Sequence, residues 1–201
     1  MSARAVLDVR HLPAGAFGSR SLMWWGTMGV VLIEGTVFGL AIAAYFYLGV
    51  RLPAWPPHGD APPDLRWGTV NTLVLLASLV PNELTKRAAD RVNLRGVQLW
   101  LVVSVVFAVV FNAVRALEFG ALNVSWDRDS YGSIVWLLLG LHTTHIVTDF
   151  LDTVVLTVLM FVGPVEEHRF VDVEENSAYW YFVVLTWLPI YGVIYWAPRL
   201  T

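Results

Sequence analysis

The chain contains no cysteine. Disulfides, thiolate metal sites and cysteine nucleophiles are therefore excluded, and the redox compartment stays open. Charge is scarce as well: 14% of residues are Asp, Glu, Lys or Arg, against about 25% in soluble domains. A net charge of -3 offers nothing to a polyanion, so nucleic acid is excluded as a partner. Of five histidines, three (His11, His58 and His168) fall in segments expected to be loops. A bis-histidine haem held across a helix bundle thus lacks ligands. No phosphate loop, nucleotide fingerprint or nucleophile–base pair occurs, and no internal repeat or low-complexity tract. The opening segment MSARAVLDVRHLPAGAFGSR is polar, and the apolar run after it is too long for the core of a cleavable signal.

What the chain does have is apolar length. It is 57% hydrophobic with a mean hydropathy of +0.60, the composition of a membrane protein. The run Ser21–Leu48 is long enough to cross a hydrocarbon core of about 30 Å, and Glu34 is its one charge. With Trp24 as an interfacial anchor, Glu34 lies about 15 Å deep. An ionised carboxylate there costs on the order of 3 kcal/mol or more. Glu34 is therefore expected to be neutral or paired, to face protein, and to mark a functional site.

The expectation is an all-α integral membrane protein: one membrane domain over residues 1–201, a bundle of five transmembrane helices. The spans are expected at about 22–48, 67–86, 97–117, 131–161 and 177–196. Gly35, Gly39 and Ala43 form a small-residue face in the first span, suited to close packing within the bundle. Arg51–Arg66 is a Pro-rich loop, Lys86–Arg95 a basic turn, Glu118–Ser130 a loop and Glu166–Glu175 a solvated acidic link. Pro81 is expected to kink its helix. Arg115 is near enough to a span end to snorkel, and Tyr191, Tyr195 and Trp196 read as an interfacial belt. Trp55, Asn71, Gly35 and Gly39 are expected at lipid or subunit contacts, while Gln98, Ser104, Asn112 and Thr186 suit interhelical hydrogen bonds. With the N-terminus inside, the inner segments hold Arg4, Arg10, Arg20, Lys86, Arg87, Arg91, Arg95 and Arg169. The outer ones hold Arg51, Arg66, Arg115, Arg128 and Arg199. The bias favours N-terminus inside and C-terminus outside.

His142, His145, Asp149 and Asp152 lie at spacings that share one helix face. Measured from Tyr131, His142 sits about 16 Å into the membrane from the outer interface, the depth Glu34 reaches from the inner one. A hydrogen bond from Glu34 to His142 or His145 is the least costly way to keep both out of lipid. The cluster Glu34, His142, His145 and Asp149 therefore reads as a structural hydrogen-bonded group, or as a proton-handling or headgroup-linked one. A metal held by the two histidines and Glu34 is a further reading, although di-iron bundles need more Glu-x-x-His motifs than this chain offers.

Several stretches, in order, resemble subunit III of the haem–copper oxidases, the cytochrome c and quinol oxidases. They are WWGTMGVVLIEGTVFG with Glu34, Trp55-Pro56-Pro57 with Gly59, and Val70-Asn71-Thr72. Then come Glu118, Tyr131-Gly132-Ser133, Gly140-Leu141-His142-Thr143-Thr144-His145, Glu174, Ala178-Tyr179-Trp180-Tyr181-Phe182, Trp187 and Ile194-Tyr195-Trp196. The resemblance runs from Leu22 to Trp196 and is to the short five-helix form, without the two helices that open the long form. It departs where the family's His-Phe-Val-Asp reads Tyr181-Phe182-Val183-Val184, where a glycine reads Thr143, and at Asp149 and Asp152.

The resemblance implies a non-catalytic subunit with no catalytic, cofactor or metal residues of its own, the haem and copper lying in partner subunits. It implies packing on oxidase subunits I and II, with a small subunit IV as a further candidate, contact with phospholipids, and a bacterial plasma membrane. The role implied is support of proton uptake and of stability during oxygen reduction. A subunit-III-like partner of a nitric oxide reductase fits the same motifs. A small proton channel or transporter, and a membrane metalloenzyme, are the readings from other classes.

Overall fold

A computed structural model describes residues 18, 21–57, 61–163 and 166–200. Five long helices carry almost all of it: α1 (Leu22–Arg51), α2 (Leu65–Asp90), α3 (Leu94–Gly120), α4 (Ser130–Val162) and α5 (Glu167–Tyr191). Four of their starts follow a side chain able to accept a hydrogen bond from the first-turn amides, the usual device for satisfying a helix N-terminus. Ser21 accepts from Met23 N–H, Asp64 from Arg66 N–H, Asn93 from Gly96 N–H and Asp129 from Gly132 N–H. Pro189 withdraws a backbone donor near the end of α5, and a π-helical turn follows at Gly192–Trp196, leading into the short α6 (Ala197–Leu200). There the Ala197 N–H reaches back five residues to the Gly192 carbonyl, the widened ladder that defines such a turn.

Helix α2 packs on α3 and α5, α3 on α4, and α4 on α5; α1 lies chiefly against α4 and α5. The main core gathers Tyr45, Leu75, Phe111, Leu138, Trp187 and Ile194. A second apolar cluster joins Ala89, Val97, Leu101, Met160 and Val173. Among the described residues four segments are long and apolar enough to cross a membrane: Leu22–Arg51, Leu94–Gly120, Ser130–Val162 and His168–Leu200. Helix α2 falls short because it is polar on the inside. Asn71, Ser78, Asn82 and Thr85 are buried, and their seven-, four- and three-residue spacing keeps them on one face. Leu73, Leu76 and Val80 are exposed on the other.

Several local expectations are corrected. Gly39 and Ala43 are exposed, and a Cβ on Gly39 would meet nothing within 4 Å. Of the three small residues only Gly35 approaches another helix, and α1 turns Phe38, Ala41 and Tyr45 inward instead. Helix α3 runs on to Gly120, so Glu118 is helical, and α2 runs on to Asp90, shortening the basic turn. The acidic link is mostly the first turns of α5, with Glu174 and Glu175 buried. Tyr195 is buried rather than interfacial. The N-terminal arm, apart from Gly18, lies outside the described residues.

Candidate functional site

The four residues expected to cluster are divided among three environments. Helix α4 carries His142 and Asp149 two turns apart on its inner side, both buried. His145 and Asp152 lie about 60° around the helix from these, where α4 meets α1.

The first environment centres on Glu34, whose side chain is 25% exposed in the seam between α1 and its neighbours. Its Oε2 accepts the Tyr179 hydroxyl at 2.7 Å, and its Oε1 lies 3.5 Å from His145 Nε2. The other imidazole nitrogen, Nδ1, is 2.6 Å from the Leu141 carbonyl. A carbonyl only accepts, so Nδ1 carries a hydrogen and Nε2 has none in the neutral ring. A hydrogen bond between Nε2 and Oε1 then requires one further proton, on the imidazole or on the carboxyl. Phe38 covers the pair, its ring centroid 4.9 Å from that of His145.

His142 belongs to the second environment, not to Glu34. Its Nε2 lies 3.1 Å from the Val183 carbonyl and its Nδ1 3.2 Å from an Arg115 guanidinium nitrogen. The carbonyl takes a hydrogen from Nε2 and the guanidinium donates to Nδ1, so the ring is the neutral Nε2–H tautomer with both nitrogens in use. Arg115 does not snorkel. It is 1% exposed, pairs with Glu118 at 2.8 Å one turn on, and stacks 4.1 Å above the Trp187 ring. Glu118 also accepts from Asn71 Nδ2 and from the Tyr195 hydroxyl. Asn71, expected at a lipid or subunit contact, is sealed inside with no exposed surface. A buried ion pair survives only when hydrogen bonds satisfy its remaining groups, and these contacts tie α2, α3, α4 and the π-turn together. This cluster was missed in the sequence. Its signal was the opposite-charge pair at i, i+3, hidden by its nearness to a helix end.

Asp149 is in a third place, a small cavity where α2, α3, α4 and α5 meet. Trp55 is tucked inward from the Pro-rich loop, its ring 5.2 Å from Tyr45 and 5.0 Å from Tyr131. Gly35 approaches Phe182, a Cβ there falling 3.6 Å from the ring. Among the described residues no group of three or more His, Asp or Glu stands close enough to hold a metal.

Fold and polar interior define a helical membrane protein built around buried polar clusters. A family model for cytochrome c oxidase subunit III matches residues 16–198. The chain belongs to that family. It is 26% identical over 184 residues to the cytochrome c oxidase subunit 3 of a Synechocystis species, covering 90% of this chain and 78% of that one. It is 30% identical over 178 residues to that of Tachyglossus aculeatus aculeatus, covering 84% and 67%. It is 24% identical over 177 residues to that of Thermostichus vulcanus, covering 87% of each. An oxidase subunit III role in the membrane follows from this membership.

Proposed function

We propose that the chain is a non-catalytic subunit of a respiratory haem–copper oxidase that supports proton uptake and protects the complex during oxygen reduction. The carrying observation is the family match across residues 16–198. In this reading haem and copper reside in partner subunits I and II, with a small subunit IV as a further neighbour, and the membrane is a bacterial plasma membrane. All five long helices span as a single membrane domain, with the N-terminus inside and the C-terminus outside. Helix α2 crosses despite its polarity because that polarity is turned inward.

Glu34, hydrogen-bonded to Tyr179 and 3.5 Å from His145, suits a supporting proton-handling role. Below it, a groove of about 540 Å³ between α1, α4 and α5 has apolar walls at Met23, Val30 and Val155. Arg169 and Asp172 stand at its charged end, which supports phospholipid contact.

The test is to isolate the assembly through a tag on this chain and record its pigment spectrum and gas consumption. Co-purifying haem and copper with oxygen reduction are expected. A colourless chain, or a partner that reduces nitric oxide but not oxygen, overturns the reading.

A further inference from the structure

The cavity beside Asp149 lies between four helices and is about 20 Å³ in volume. Roughly 10–15 Å³ suffices to admit one water. Most of its polar lining is already committed. Asn82 Nδ2 donates to the Ser177 carbonyl at 3.0 Å, Thr85 Oγ1 to the Pro81 carbonyl at 2.8 Å, and Asn176 Nδ2 to Thr153 Oγ1 at 3.0 Å. Three groups are left over. The buried hydroxyls of Ser104 and Ser177 have no hydrogen-bond partner, and Ser177 is only 1% exposed. The Asp149 carboxyl, 5% exposed, has no hydrogen bond or ion pair among the described residues.

The charges around Asp149 decide its form. On its own helix, His145 is engaged with Glu34 and Leu141, and Asp152 is a second acid at i+3. From α5, Tyr179 gives its hydroxyl to Glu34. The cavity residues from α2 and α3 (Ser78, Asn82 and Thr85, then Leu101, Ser104 and Ala108) do not titrate. No Lys, Arg or His lines the space. An ionised carboxylate here would stand in a low-dielectric interior without a counter-charge, and such a group neutralises instead. A neutral carboxyl has one O–H to give, and both serine hydroxyls can give and accept. A single water has the donors and acceptors to serve three such groups, the typical number of partners for a buried water.

We propose that Asp149 is a neutral acid that, with Ser104 and Ser177, binds one internal water, forming a protonated and hydrated site distinct from Glu34. The reading does not depend on the oxidase assignment. In the intact complex, infrared difference spectra between wild type and Asp149→Asn should contain the carbonyl band of a neutral carboxylic acid. That band should shift in D2O and be absent from the variant. Ser177→Ala should keep the band but move it, because the water loses a partner; this variant also reads the site should Asp149→Asn fail to assemble. Three results overturn the proposal: a difference confined to carboxylate bands, a carbonyl band indifferent to both D2O and Ser177→Ala, or one that appears only after sodium is withdrawn. The last would make the occupant a cation.

Discussion

Tyr195 crosses α2 at Gly68, where a Cβ would stand 2.5 Å from the ring atom Cζ. The missing side chain lets the phenol reach Glu118 on α3. Gly68→Ala should push the ring aside and break that contact, lowering stability by about 1–3 kcal/mol. Tyr195→Phe removes the same hydrogen bond without the clash. Thermal unfolding of the purified complex should therefore find the double variant less destabilised than the sum of the singles. Strict additivity would mean that the two residues do not act through one contact.

Arg115 and Glu118 form a pair that should not tolerate losing one member. Arg115→Met leaves a buried carboxylate with two neutral donors and no cation, a change that costs about 3–5 kcal/mol in comparable pairs. Adding Glu118→Gln should recover much of that loss. The yield of assembled complex and its melting temperature measure both, and a single variant as stable as wild type would contradict the burial of the pair.

Much of the first environment was legible in the sequence, and much of the second was not. Glu34 stood out as the lone charge of its run, and depth alone brought it to the level of the α4 histidines. Depth could not choose between His142 and His145, which differ by most of a turn, nor find Tyr179, since a tyrosine near a helix end reads as interfacial. The inward polarity of α2 was present in the spacing of Asn71, Ser78, Asn82 and Thr85, but average hydropathy discards direction. Arg115 and Glu118 misled because charges near a helix end usually reach water, whereas here α3 continues past them to Gly120.

Glu34→Gln keeps a group able to hydrogen-bond Tyr179 and should assemble nearly normally. Glu34→Leu leaves Tyr179 and His145 without their acceptor, a loss of about 1–3 kcal/mol, and should loosen attachment to the partner subunit. Initial oxygen-reduction rates should survive in both variants, with faster decay of activity during turnover. Abolished activity in fully assembled Glu34→Gln complex would instead put the carboxyl on an obligatory proton path.

The proposed five crossings would place the chain ends on opposite faces of the membrane. Single cysteines at Ser2 and Thr201, both outside the described residues, can be introduced against a cysteine-free background. An impermeant thiol reagent applied to sealed right-side-out vesicles should label the second and spare the first. Equal labelling at both ends would leave an even number of crossings.

Helix α1 leans chiefly on α4 and α5, so the first helix made has its main partners among the last. At about 5–20 residues per second of synthesis, the roughly 140 residues between the end of α1 and the end of α5 take about 7–28 s to appear. For about the first two-thirds of that wait Glu34 has neither His145 nor Tyr179, which are made with α4 and α5. The polar partners of the Glu34 carboxyl are thus supplied last, and its setting is complete only when α4 and α5 have closed on α1.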